Sequence, residues 1–509
     1  MKVLVIPFLL FVFIQTSFSK ISDDCELQLP GFTRDDVFTM LSERPDDSAA
    51  QARVRNSVLQ GNFETLARNQ EILENHNPNY SHKLSSGKIS DQKQSGRCWV
   101  FGACNAIRGP LIDSGLVESS FEFSQSYIWF FSLFEKANIY FEELSQGFFK
   151  KQKDYRKRAS LWAQLSDGGF WQWFAYLVKK YGLVPYNQMP DYSGSLSSGN
   201  LQKELSYYMT LQAASMKELA EKLKQEGASK KSAISELRAK KKIALAGVLE
   251  ILRTHLGTPP TGSFQFRVPV KEKKTDDQKT DSPPRGKQKI LVAEYDNKSF
   301  TARSFADSFV KFKGSDFVPV VYSRKLKEAS KFSIADSAIA HSSAGMRTQN
   351  LKYLNLTQKR IAALITASII DGRAIPIAVS MNRLIDHSTG IMHPDLRVRE
   401  GIYNFRGDEN VTEMSQLPAP LANYLRMNSA NHLMSLTAVD LNPSDEEIVK
   451  FLIENSWGTR NGYKGFYHMY YDWFKKYSWH VVIHKDYLSE EELKAWRGRA
   501  KKVTWYEAF

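Results

Sequence analysis

The stretch Gln92-Lys93-Gln94-Ser95-Gly96-Arg97-Cys98-Trp99-Val100-Phe101 carries the reading of the whole chain. A polar, glycine-containing loop delivers Cys98 to the first turn of a predicted apolar helix, in which Trp99, Ala103, Ala106 and Ile107 recur at helical spacing. At a helix N-terminus the free N–H groups and the macrodipole favour the thiolate, the nucleophilic form of cysteine. A thiolate that attacks a carbonyl needs a base, a group that orients the base, and donors for the oxyanion. Each has a candidate. Asn455-Ser456-Trp457-Gly458 closes a predicted strand, and His432 opens the apolar run Leu433–Val439. Two neighbouring strands could set the Asn455 amide against the His432 imidazole, with Trp457 shielding that bond from water. Gln92, six residues before Cys98, could turn its amide to an oxyanion beside the Cys98 N–H.

In isolation a lone cysteine is ordinarily an inert core residue and a lone histidine a satisfied structural one. Here Cys98, His432, Asn455 and Gln92 occur together with the loop and strand contexts that catalysis requires. The runs QKQSGRCWVF, NHLMSLTAVD and ENSWG resemble the papain-like cysteine peptidases, and most of all the bleomycin hydrolase/aminopeptidase C branch. Phe121–Phe130, Asp167-Gly168-Gly169, Tyr181–Pro190 and Gly257-Thr258-Pro259-Pro260 extend the likeness, which covers residues 30–509 in order. The resemblance implies an α+β, two-lobed papain-like cysteine peptidase fold with a helical insertion. It implies Cys98 as nucleophile, His432 as general base and acid, Asn455 as orienter and Gln92 as oxyanion donor. Gly168 and Gly169, with Trp457, would lie along the bound peptide. Phe509, at the end of a C-terminal arm, would offer its carboxylate to the free amine of the substrate. The branch further implies a hexamer that encloses its active sites and, in some members, nucleic-acid binding. The tail Lys501–Phe509 matches the family arm only loosely, so an endopeptidase with an open cleft is the alternative activity. A basic binding or assembly protein with a vestigial peptidase site is the alternative of another class.

The 509 residues are 42% hydrophobic and 24% charged, proportions of a folded globular chain rather than a disordered or disulfide-framework one. The formal charge of +14 permits attraction to nucleic acid or anionic surfaces but identifies neither, and a solvated basic exterior is the favoured account. Between Lys217 and Lys242 nine Lys or Arg stand against four Glu, the pattern of a solvated helix face. No HExxH, CxxC or paired Cys/His cluster occurs, so neither a metal nor a cofactor is expected. At the N-terminus Lys2, the apolar run Val3–Ile14 and the small residues Ser17 and Ser19 form a signal-peptide pattern. That run is too short to span a bilayer, and no later segment is long and apolar enough. The mature chain is expected in a secreted, periplasmic or lumenal compartment. Of the other cysteines, Cys104 reads as a core residue, and nothing in the sequence supports its pairing with Cys25.

The expected organisation is a signal peptide (1–19), an N-terminal segment (20–90), a helical lobe with the nucleophile (91–210), a helical insertion with a mobile basic loop (211–365), and a β-rich lobe with the His/Asn pair and C-terminal arm (366–509). Helices are predicted over 54–73, from Cys98, after Phe123-Ser124-Gln125-Ser126 where a Ser could cap the run from Tyr127, over Trp171–Tyr181 ending at Gly182, and over 200–255. Strands are predicted at 374–379, 433–439, 448–453 and 481–483.

Overall fold

A computed structural model describes residues 32–42, 49–149, 167–269, 295–334, 351–397 and 430–503. The expected leader (1–19), Cys25, the basic loop at 271–289 and Phe509 lie outside them. The chain divides into a small unit, residues 1–67 with 401–404, and a large one, residues 68–400 with 405–509. In the small unit, helices α1 (Arg34–Ser42) and α2 (Ala49–Gln60) bury no side chain. The helix predicted over 54–73 is broken. Gly61 ends α2, and Asn62 accepts the Glu64 N–H at 2.9 Å to cap a new turn, α3 (Phe63–Leu66).

The large unit begins with α4 (Gln70–Glu74) and then builds a helical lobe. Cys98 starts α5 (Cys98–Asp113), whose side chains are buried over almost its whole length. Ser124, rather than Ser126, caps α6 (Gln125–Gly147) by accepting the Tyr127 N–H at 3.1 Å. α7 (Trp171–Tyr181) stops at Gly182, whose φ of 87° lies in the left-handed region that favours glycine. The basic stretch forms two helices, α8 (Gly199–Gln225) and α9 (Lys230–Leu256). Each buries one stripe: Leu201, Leu205, Met209, Met216 and Ala220 on α8, and Ala233, Leu237, Ala244, Val248, Leu252 and Leu256 on α9. Arg238 and Lys241 of α9 both hold Glu142 of α6, at 2.6 and 2.9 Å. Part of the basic face is therefore an internal seam between helices, the remainder being solvated.

β1 (His82–Lys83) joins a sheet of eleven strands. The others are β4 (Phe317–Val321), β5 (Ser330–Ile334), β6 (Lys352–Asn355), β7 (Ile375–Val379), β8 (Ile391–Met392), β9 (His432–Leu441), β10 (Ile448–Glu454), β11 (Phe466–Tyr470), β12 (Ser478–His484) and β13 (Lys501–Val503). Their order is β13-β5-β6-β4-β12-β7-β9-β10-β11-β8, with β1 beside β9. A separate antiparallel pair is made by β2 (Phe264–Pro269) and β3 (Tyr295–Phe300). The architecture is α+β, as expected. Strand structure begins earlier than the sequence texture suggested: β4, β5 and β6 precede residue 365, inside the stretch assigned to a helical insertion, yet belong to the main sheet. Helices α10 (Gln358–Ile370), α11 (Tyr471–Tyr477) and α12 (Glu490–Arg497) complete the unit. No helix among the described residues is long and apolar enough to cross a membrane.

One apolar core fills the helical lobe and a second fills the sheet lobe. Leu433, directly after His432 on β9, packs into the helical core. Gly102 makes that possible, because a Cβ there would stand 2.6 Å from Leu433 Cδ2 and 2.8 Å from its carbonyl oxygen. The helix that starts at Cys98 and the strand that starts at His432 meet at this bare backbone.

Candidate active site

The loop before Cys98 is fastened to the Asn455–Gly458 segment as a short antiparallel ladder. Gln92 N–H donates to Ser456 O at 2.8 Å, and Gly458 N–H to Ser90 O at 3.0 Å. Side chains repeat the link, with Ser456 Oγ donating to Gln92 Oε1 at 2.7 Å. Once Oε1 is fixed as acceptor, the Gln92 amide plane is oriented. Its Nε2 gives one hydrogen to Ser95 O at 2.6 Å and retains a second. Lys93 sits at φ 52°, a left-handed conformation rare for a residue with a side chain, and its N–H is held by Asp91 Oδ1 at 2.9 Å.

Arg97, fully buried, anchors the other end of the loop. Its guanidinium reaches Asp191 at 2.7 Å, Ser126 at 3.0 Å, Ser195 O at 2.8 Å and Ser95 Oγ at 2.9 Å. Asp167 supplies a third tether: its carboxylate accepts the Gly96 N–H at 2.9 Å and bonds to Ser198 and Gln202. With the loop held at these points, Cys98 presents its thiol from the first residue of α5. Burial pushes that thiol above the ordinary cysteine value. The N–H groups of Leu433, Trp99 and Cys98 itself pull it back, and the Asp167 carboxylate adds a smaller push upward.

His432 is 6% exposed, and its Nε2 lies 2.7 Å from Asn455 Oδ1. The same oxygen accepts the Ser456 N–H at 2.7 Å, which fixes the orientation of the amide. An oxygen that only accepts requires the proton on Nε2, and so leaves Nδ1 as the free lone pair of the ring. Burial lowers the imidazole to about 4, with the Asn455 bond acting in the opposite direction. Taken singly, burial disfavours the charged form of each group. Trp457 lies over the ring, centroids 4.6 Å apart and planes inclined by 38°.

Gly168 and Gly169 run past the first turn of α5. A Cβ on Gly169 would meet the Trp99 indole at 2.4 Å, while Trp99 Nε1 donates to Asp167 O at 2.9 Å. The Gly168 carbonyl accepts from the buried Lys136 ammonium at 2.7 Å. Burial lowers Lys136 to about 8, against the pull of Asp167. Gln92 and the Asn455–Trp457 segment are joined by the Ser456 hydrogen bonds, His432 joins them through Asn455, and Cys98 meets Leu433 beside His432. Phe509 lies outside the described residues. Cys104 is a buried free thiol in the helical core.

The sequence reading did not single out Arg97, Asp191, Lys136 or the carboxylate of Asp167. Nor did it find the buried pair Arg108–Glu454, at 2.6 Å, which ties α5 to the strand that ends beside Asn455. A charged residue inside an apolar helix, such as Arg108 in Cys104–Leu111, was the available signal.

The Peptidase C1-like family matches residues 33–507. Aminopeptidase C of Lactobacillus delbrueckii subsp. lactis is 28% identical over 466 residues, covering 91% of this chain and 93% of its own. Aminopeptidase C of Streptococcus thermophilus is 27% identical, with coverages of 88% and 92%. Aminopeptidase G of Lactobacillus delbrueckii subsp. lactis is 26% identical, with coverages of 87% and 90%. The crystal structure of PepW from Lactobacillus rhamnosis superimposes with a TM-score of 0.77 at 24% identity, over 94% of this chain and 98% of that one, and so shares the fold. With the match spanning both the cysteine loop and the His/Asn strands, the chain belongs to the Peptidase C1-like family, in the aminopeptidase C/bleomycin hydrolase branch of the papain-like cysteine peptidases.

Proposed function

We propose that this chain is a thiol-dependent aminopeptidase that removes N-terminal residues from peptides through an acyl-enzyme on Cys98. The observation that carries the reading is the 2.7 Å bond from His432 Nε2 to an Asn455 Oδ1 whose orientation is fixed by Ser456 N–H. It leaves Nδ1 as the base. His432 Nδ1 takes the thiol proton, and the Cys98 sulfur attacks the peptide carbonyl carbon. The resulting oxyanion is held by the Cys98 N–H and the remaining Nε2 hydrogen of Gln92. His432 returns its proton to the departing amine, then deprotonates the water that hydrolyses the thioester. Burial disfavours separated charges at both groups, so the thiolate and imidazolium form together as a pair, with Asn455 supporting the charged ring. Gly168 and Gly169 follow the Asp167 tether past the first turn of the helix, and an extended peptide is proposed to lie along them.

The aminopeptidase reading draws on the names of the relatives, and the sequence adds the expectation that the Phe509 carboxylate receives the substrate amine. The test is one dipeptide reporter presented with a free and with an acetylated N-terminus, in reducing buffer, beside Cys98→Ala. Turnover of the free form alone supports the reading; equal turnover of both makes the chain an endopeptidase. Full activity in Cys98→Ala overturns the mechanism. Export and hexamer formation are finer parts of the same proposal. N-terminal sequencing of extracytoplasmic protein checks the first, where an intact Lys2 in all of it refutes cleavage. Sedimentation checks the second, where a monomer at micromolar concentration refutes assembly. Nucleic-acid binding would appear as affinity that falls with salt, and no binding at low salt removes it.

A further inference from the structure

A cavity of about 480 Å³ opens on the far side of α7 from Trp99. The helix has two working faces. Trp173 turns inward and meets Trp99 edge-on at 6.5 Å, while Gln172, Ala175, Tyr176 and Lys179 line the cavity at helical spacing. The inner wall is aromatic: Trp171 lies 5.2 Å from Phe317 and 5.9 Å from Phe312, and Trp496 of α12 closes another side. The volume falls within the range of about 300–1,000 Å³ usual for small-molecule clefts.

The charges around this wall are one-sided. Lys179, Arg303, Lys313 and Lys352 line the cavity against one carboxylate, Asp307, and that one is bound to Arg303 at 3.2 Å. Among the described residues Lys179, Lys313 and Lys352 have no ion-pair partner. Behind Trp496, the Lys331 ammonium stands 4.7 Å from the indole centroid. It donates to Trp496 O at 2.6 Å, and burial, then the neighbouring Lys352 charge, lower its pKa. An ordinary lysine-bearing surface is convex and has its aromatic residues covered. Here three unpaired ammonium groups surround a concave aromatic wall.

We propose that this cavity is a second ligand site, separate from the thiol, for a small organic anion that carries an aromatic ring. The ring packs against Phe317 and Trp496, backed by the buried Trp171, and the carboxylate, sulfonate or phosphate group engages Lys179, Lys313 and Lys352. Trp171 is two residues from Gly169, so an occupant rests on the helix that continues the peptide-binding glycines.

The test uses anilinonaphthalene sulfonate, a planar aromatic anion that fluoresces on desolvation, with full-length protein whose active-site thiol has been alkylated by iodoacetamide. Saturable binding of one probe per chain is expected. The affinity should fall about tenfold, or about 1.4 kcal/mol, in Lys179→Glu combined with Lys313→Glu. Reversal of Lys217 and Lys222 on α8 should leave it unchanged. On wild-type protein the binding should weaken with added salt, and uncharged phenylnaphthylamine should bind more weakly than the sulfonate. Failure to saturate, equal affinity in both double variants, or preference for the neutral probe would overturn the site. So would competition by a peptide substrate on unalkylated protein, which would place the probe in the catalytic groove. Normal peptidase turnover in the Lys179/Lys313 variant separates this test from the proposed function.

Discussion

The Arg108–Glu454 pair joins the two halves of the candidate site, and its removal has a calculable cost. Arg108 lies on α5, ten residues after Cys98, and Glu454 is the residue before Asn455. Their side chains are 1% and 2% exposed and meet at 2.6 Å. Breaking a buried ion pair by removing one partner costs about 3–5 kcal/mol, because the other charge is left without compensation. Glu454→Gln should fall at the low end, about 3 kcal/mol, because the glutamine oxygen still accepts a bond and Arg108 keeps the Lys88 carbonyl at 2.8 Å. Burial already raises Glu122, and the charge of Arg108 opposes it, so Glu122 is a second partial counterion. In a chain of this size that cost corresponds to a melting point lower by about 3–6 °C. Arg108→Met should be worse near neutral pH, because the buried Glu454 and part-buried Glu122 carboxyls lose the charge that offsets their desolvation, and acid should relieve it. The double variant Arg108→Met/Glu454→Leu should melt above either single. Thermal unfolding across pH, read alongside turnover, measures all of this. A Glu454→Gln protein that melts with the wild type, or a double variant no better than the singles, would refute the argument.

His480 is buried on β12 with its Nε2 unpartnered, and burial alone lowers it from 6.5 to about 4. A histidine whose folded pKa is depressed contributes full stability above 6.5 and loses it as pH falls toward 4, since the unfolded chain takes the proton first. His480→Phe should therefore be more stable than wild type by about 2 kcal/mol near pH 5 and unchanged near pH 8, by urea unfolding; a parallel pair of pH curves would contradict this. Gly102→Ala should lower turnover at least about tenfold with little change in KM, because the added Cβ drives α5 away from Leu433 and separates thiol from imidazole; unaltered turnover would show that the contact relaxes freely. Asp167→Ala frees the Gly96 N–H, Ser198 and Gln202 at once. It should lower kcat by about tenfold or more by loosening the loop that carries Gln92 and Cys98, and a wild-type rate would remove Asp167 from any positioning role.

What the sequence disclosed and what it concealed follow from the range of the interactions involved. The helix from Cys98, the Ser124 cap and the Gly182 stop are local: a side chain bonds the next turn, or a glycine takes a positive φ, and adjacent residues announce it. The strands β7, β9, β10 and β12 were legible as apolar runs because they are buried along most of their length. β5 and β6 were not. They are short, carry Ser and Lys among their apolar residues, and gain strand structure only by pairing with each other and with β4 and β13.

The candidate site divides along the same line. Four residues whose chemistry has a signature, Cys98, His432, Asn455 and Gln92, could be named from their motifs. The groups that hold them could not, because a buried arginine or aspartate is chemically ordinary until its partner is known, and the partners are remote. Arg97 meets Asp191 across 94 residues, Gly96 meets Asp167 across 71, and Arg108 meets Glu454 across 346. These buried ionic and polar bonds do not make the thiol nucleophilic. They fix the cysteine loop, the Asp167–Gly169 stretch and the imidazole strand relative to one another. A variant at Arg97 should consequently behave unlike one at His432. Arg97→Lys keeps the charge but loses the fork that reaches Asp191, Ser126 and Ser195 together, so turnover should fall about tenfold or more while the pH dependence of the surviving activity keeps its shape. A shifted pH profile in Arg97→Lys would mean that the guanidinium acts on the titration of the Cys98–His432 pair itself, and the division between chemistry and scaffold would then have to be redrawn.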